Sequence, residues 1–225
     1  MTFASAVLSF YQSLELKVRL PKGVDLLNPY QHEPVKTYCK QFYNSYYQDS
    51  NPRTLILGIN PGRLGAGLTG IGFTDPVQLT NACGIENSLP QKAELSSTFV
   101  YKMIDHYGGP TTFYQNFFLS AVCPLGFAQG GKNLNYYDLP ALQQAVEPFI
   151  IESLKAQLKL GINATICFCL GEGKNFAYLK ALNDKYGFFT NIIALPHPRF
   201  VMQYKRKQLN DYIDLYLHHL RQLPK

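Results

Sequence analysis

The sequence predicts an α/β fold, a three-layer α/β/α sandwich with a central, mainly parallel four-stranded sheet. Three observations lead to it. Four short segments are continuous apolar runs rather than alternating ones, as expected of strands covered on both faces. The stretches between them repeat apolar residues at helical spacing, and strand, crossover, strand in succession builds a parallel sheet. The chain has 225 residues, 46% of them hydrophobic and 16% charged, which suits one domain with a sizeable core.

Taken in order, residues 1–20 (MTFASAVLSFYQSLELKVRL) space their apolar positions as an amphipathic helix does and lack the basic start of a signal peptide. The first 50 residues are expected to add helices packed on the α/β core, within a single domain covering 1–225. The first strand is TLILGIN (54–60). A helix over 92–107, with Leu95, Phe99, Met103 and Ile104 along it, leads to the second strand, FFLSAVC (117–123). A longer helix over 139–160 stops at Gly161 before the third strand, ATICFCL (164–170). Helical patterns over 173–186 and 203–220 flank the fourth, NIIALP (191–196). Repeats, linkers and low-complexity stretches are absent from the sequence, and no apolar run is long enough to span a membrane.

The net charge is +6, which favours an acidic partner such as nucleic acid. From residue 197 to the end there are six basic residues, Arg199, Lys205, Arg206, Lys207, Arg221 and Lys225, against Asp211 and Asp214. The run Lys205-Arg206-Lys207 reads either as a solvated helix face or as a phosphate contact. The five cysteines form no CxxC pair, so neither a zinc site nor an iron–sulfur cluster is expected, and they read as small buried thiols in a reducing compartment. With no targeting signal, a bacterial cytoplasmic location is expected, or a nuclear one in a eukaryote.

In parallel sheets, ligands bind beyond the carboxyl ends of the strands. Four segments meet at that rim: NPGRLGAGLTGIGF, CPLGFAQGGKN, GEGKN and HPRF. LGEGKN lacks the first glycine and the hydroxyl of a phosphate loop and reads as a tight turn into a helix. The first strand ends in Asn-Pro and not in GxGxxG, so the stretch fails as a dinucleotide fingerprint, and there is no GxSxG elbow and no HExxH. What remains is Asn60, delivered by a buried strand and followed by Pro61 and Gly62, and His197, delivered by another and followed by Pro198. Proline fixes the exit of the chain, and glycine leaves room and a free N–H.

Gly58-Ile59-Asn60-Pro61-Gly62, then Gly65, then Thr69-Gly70-Ile71-Gly72-Phe73, resembles the first motif of the single-strand-selective monofunctional uracil-DNA glycosylases. The resemblance continues in Cys123-Pro124-Leu125, Gly131-Lys132-Asn133-Leu134, Leu139-Pro140, Gly171-x-Gly173-Lys174 and His197-Pro198, and covers roughly residues 50–220. Two places depart from the family. Ser120-Ala121 stands where the family has His-Asn, and His197-Pro198-Arg199-Phe200 replaces His-Pro-Ser-Pro-Arg-Asn.

The resemblance implies a uracil-DNA-glycosylase-like fold and a monofunctional hydrolase of base excision repair that needs no metal or cofactor. It implies a partner in DNA carrying uracil or other deaminated bases, single- or double-stranded, no membrane, and a monomer. It makes Asn60 the holder of the attacking water and His197 the donor to the departing base. Phe73 would stack on the flipped base, with Ile59, Gly62, Gly65, Ser120 and Ala121 around it. Gly65 is expected to leave room beside the base. Ala121 cannot read the pyrimidine edge as the family's Asn does, so uracil selectivity should relax toward the deaminated purines hypoxanthine and xanthine. Arg63, Lys132, Lys174, Arg199, Lys205, Arg206 and Lys207 would contact the DNA backbone. A non-catalytic nucleic-acid-binding domain and a hydrolase of free nucleosides or nucleotides are the alternative readings.

Overall fold

The computed structural model describes residues 1–222, so Lys225 lies outside the described residues. The chain opens with α1 (Phe3–Gln12), β1 (Val24–Leu27), a 3-10 turn at Pro29–Gln31 and α2 (Glu33–Tyr46). Then come β2 (Arg53–Gly58), α3 (Ala66–Thr69), α4 (Pro76–Asn81), α5 (Leu95–Tyr107) and α6 (Gly109–Asn116). β3 (Phe117–Ala121), β4 (Gly126–Gln129), β5 (Lys132–Leu134) and α7 (Pro140–Leu158) follow. The chain continues through β6 (Ile162–Leu170), α8 (Lys174–Tyr186), β7 (Asn191–Leu195), α9 (Pro198–Tyr204) and α10 (Leu209–Arg221).

The four apolar runs form the expected sheet, in the order β3-β2-β6-β7, with every neighbouring pair parallel. β2 is central and buried along its whole length, which is why its sequence does not alternate. The register pairs Gly58 with Ala121 and Leu170 with Leu195, so the carboxyl ends of all four strands open on one rim. Asn60 and His197 each lie two residues past a strand end at that rim.

Three expectations need correction. The N-terminal helix is shorter than 1–20, since α1 ends at Gln12. The chain then reaches β1, part of a second, antiparallel sheet ordered β1-β4-β5 that the sequence reading did not contain. Its strands are three or four residues long, too short to show a period. The readable signal was Gly130-Gly131, whose φ values of +55° and +73° make the two-residue turn that pairs Gln129 with Lys132. Finally, 203–220 is not one helix. Pro198 starts α9 early, and Lys205-Arg206-Lys207 falls in the break before α10. That cluster is therefore an exposed turn, not a helix face.

The N-terminal elements pack on the sheet through aromatic rings, with Phe3 edge-on to Phe118 and stacked on Tyr47. Arg53, fully buried at the start of β2, ties this region together. It pairs with Asp49, donates to the Asn51 and Tyr114 carbonyls, and lies over the rings of Phe3 and Tyr47. Its hydrogen bonds hold the Asp49 carboxyl below the usual carboxylate range. Arg53→Met would strand two carbonyls and a paired carboxylate, and should cost about 3 kcal/mol in urea unfolding.

Candidate active site

The rim encloses a cavity of about 420 Å³, within the common range for small-ligand sites. Asn60, His197 and Phe73 all line it, as do Ile59, Gly62, Ser120 and Ala121. Each reaches it for a local reason.

Asn60 is held at both ends of its amide. Its Nδ2 donates to the Leu134 carbonyl at 3.2 Å, and its Oδ1 accepts the Tyr136 N–H at 3.1 Å. A carbonyl only accepts and an N–H only donates, so these partners fix which way the amide faces. One lone pair of Oδ1 stays available. Tyr136 is itself anchored, its hydroxyl donating to Asn175 Oδ1 at 2.8 Å. Asn175, almost fully buried, also donates to the Leu170 carbonyl at the end of β6. In sequence Asn175 belongs only to a failed phosphate loop, whereas in the structure it braces the support under Asn60.

His197 caps α9, its Nδ1 accepting the Arg199 N–H at 3.1 Å. With Nδ1 occupied as an acceptor, the neutral ring carries its proton on Nε2. Burial and the neighbouring Arg199 guanidinium push its pKa down to about 4. The ring is thus a neutral hydrogen-bond donor at physiological pH.

Phe73 holds a left-handed backbone, φ +54°, which a non-glycine residue adopts at a cost of order 1 kcal/mol. Its ring lies over Gly58, where an added Cβ would sit 2.6 Å from Phe73 Cζ, and its centroid is 6.2 Å from that of His197. The glycine at the end of β2 therefore makes room for the ring.

The glycine loop holds a correction and an addition. Gly65 is not part of the cavity wall. The space its missing side chain leaves is taken by Glu94, whose Oε2 would be 2.0 Å from a Cβ there. Glu94 itself lines the cavity and is the one carboxylate that does so among the described residues. The sequence places Glu94 inside the helix expected over 92–107 and gives it no role, whereas α5 begins only at Leu95. The back wall also contains Tyr11 and Tyr30, stacked with centroids 4.3 Å apart, and Tyr11 Oη is 3.5 Å from Ser120 Oγ. No sequence signal marked either tyrosine, because only the fold brings the N-terminal segment behind β3.

Of the basic residues, Arg199 lines the cavity and is exposed. Lys132, Lys174, Lys205, Arg206 and Lys207 are exposed outside it, and Arg63 is half-buried with its N–H on Asn133 Oδ1. Among the described residues none of these seven makes an ion pair. Phe200 and Tyr204 stand at the cavity wall 42% and 67% exposed, an unusual position for paired aromatic rings.

The chain matches known proteins along most of its length. The model of the uracil DNA glycosylase superfamily matches residues 45–221. The single-strand selective monofunctional uracil-DNA glycosylase of Rattus norvegicus is 29% identical over 147 residues, 56% of this chain and 51% of that protein. Its Mus musculus counterpart is 27% identical over 150 residues, 58% of this chain and 52% of that protein. The chain thus spans about half the length of these curated relatives. The crystal structure of wild-type Pedobacter heparinus SMUG2 superposes with a TM-score of 0.95 at 46% identity, covering 98% of this chain and 97% of that one.

Proposed function

The chain belongs to the uracil DNA glycosylase superfamily, and we propose that it is a monofunctional DNA glycosylase that flips uracil out of DNA and hydrolyses its N-glycosidic bond. One observation carries the reading. Asn60 and His197 enter a single cavity from the ends of two parallel strands, each locked in one orientation, with the Phe73 ring beside them. The free lone pair of Asn60 Oδ1 positions a water toward C1′. The His197 Nε2–H donates to the oxygen of the departing base, which leaves with the bonding electron pair. Phe73 stacks on the flipped ring. No lysine lines the cavity among the described residues, so a Schiff base and a lyase step have no nucleophile. Exposed Arg199 and the exposed Lys205-Arg206-Lys207 turn that follows Tyr204 would contact phosphates, and the exposed rings of Phe200 and Tyr204 would offer faces to unstacked bases.

The reading extends to deaminated purines. Ala121 offers no amide to the base edge, and the polar groups at the back wall include hydroxyls, of Ser120, Tyr11 and Tyr30. A hydroxyl donates or accepts as its rotor turns, so it tolerates different base edges where an amide would not. Oligonucleotides carrying uracil, hypoxanthine or xanthine, single-stranded and duplex, should all yield abasic sites, read as strand breaks after alkali. No product from uracil would overturn the glycosylase reading. Product from uracil alone would overturn the wider specificity and leave the rest.

A further inference from the structure

We propose that Glu94 is the proton acceptor of this reaction, taking the proton that the attacking water gives up as its oxygen bonds to C1′. The inference rests on the glycosylase reading and adds a residue to it.

The chemistry requires such a group. When water adds to C1′, the C1′–O bond forms and the C1′–N bond breaks, its electron pair leaving with the base. One water proton must then go elsewhere. Asn60 cannot take it, because an amide oxygen is not basic at neutral pH. His197 cannot take it either, because its Nδ1 already accepts the Arg199 N–H and its Nε2 already carries a proton. Glu94 is the remaining candidate in the cavity, and the one carboxylate lining it among the described residues.

Its placement is built. The backbone N–H of Glu94 donates to Asp75 Oδ2 at 2.7 Å, and Asp75, fully buried, uses its other oxygen to cap α4. The Glu94 side chain is pressed into the glycine loop that begins two residues after Asn60. A Cβ on Gly62 would lie 3.3 Å from Oε1, and one on Gly65 2.0 Å from Oε2. Gly62 and Gly65 are thus the seat of a carboxylate. Within the described residues this carboxylate accepts no hydrogen bond, although the side chain is only partly exposed. A partly buried carboxylate without a donor is an arrangement that a purely structural role would not favour.

The surrounding charges suit the task. Burial raises the Glu94 pKa, the Arg199 guanidinium opposes that rise, and Asp75 adds to it. His197, in the same cavity, is neutral down to about pH 4. A carboxylate raised in this way is a better base than an ordinary one. After the step, Glu94 returns its proton to solvent and the base anion takes one up.

The test is the pH profile of single-turnover excision of uracil from single-stranded DNA, with enzyme in excess, between about pH 5 and 9. The wild-type rate should fall on the acid side as Glu94 is protonated. E94Q should be slower by about 10²-fold at neutral pH, the low end for general-base loss, because the sugar is already electrophilic. Its acid limb should disappear, while DNA affinity holds. E94D keeps the charge but retracts it, so it should be slowed less and keep an acid limb. It carries the test if E94Q does not fold. An E94Q rate within about threefold of wild type, or a slow E94Q with the limb unchanged, would overturn the assignment. So would E94D at the full wild-type rate. If the wild type released no uracil, the glycosylase reading would fall, and this inference with it. An active wild type indifferent to Glu94 strikes only the inference.

Discussion

Asn60→Ala should lower single-turnover excision of uracil by about 10³-fold with DNA binding retained. The size follows from what the amide does in this structure. Its donor and acceptor are both spent on backbone groups, Leu134 and Tyr136, so the side chain cannot swing. A water bound to the second lone pair of Oδ1 would therefore be held in one place before the base departs. Alanine removes that anchor and also unpairs a carbonyl and an N–H beside the cavity. Asn60→Asp separates the two effects. The aspartate still accepts from Tyr136 and can hold water, but it faces the Leu134 carbonyl with a lone pair instead of an N–H. It should retain more activity than alanine and be less stable than wild type. Rates of both variants near that of wild type would remove Asn60 from the mechanism.

The parts of this site that were legible in the sequence share one property: their position is set by a strand. Asn60 and His197 stand just past continuous apolar runs, and a parallel sheet carries such residues to one rim whatever the rest of the chain does. Phe73 was legible through the motif that encloses it. Glu94 was not, because its meaning depends on contact with Gly62 and Gly65, some thirty residues earlier, across two short helices. The glycines themselves were the available clue. The motif implies that Gly65 is clearance for a base, and in the structure it is clearance for a side chain of this protein. Tyr11 and Tyr30 were invisible for a related reason. They come from residues that precede the superfamily match at 45–221, and the approach of Tyr11 to Ser120 and the stacking of Tyr30 on Tyr11 are purely tertiary. The four-stranded sheet could be read because burial on both faces leaves an uninterrupted apolar run. The small antiparallel sheet could not, because three or four residues with a polar edge show neither period nor run.

His197→Ala should cost between about 10² and 10³ in the same assay, the range for losing one preorganised donor to developing negative charge. The pH dependence gives the sharper check. The folded pKa of about 4 lies below the ordinary histidine value, so the neutral ring is the native form. The ring should not titrate between about pH 5.5 and 8, and nitrogen shifts in NMR should report the Nε2–H tautomer throughout. The excision rate should accordingly show no limb that belongs to this histidine, and the limb assigned to Glu94 should be the one that disappears in E94Q. Linkage gives the matching stability effect. The unfolded chain takes up this proton first, so the stability present above about pH 6.5 is lost progressively as pH falls toward about 4. Loss of the α9 cap is the confounding effect in His197→Ala, since the Arg199 N–H then has no acceptor. His197→Asn supplies a capping oxygen but no donor reaching as far as Nε2. If the histidine acts through its Nε2–H, His197→Asn should fold as wild type does and be nearly as slow as His197→Ala. If asparagine restored the rate, His197 would be a helix cap that happens to line the cavity.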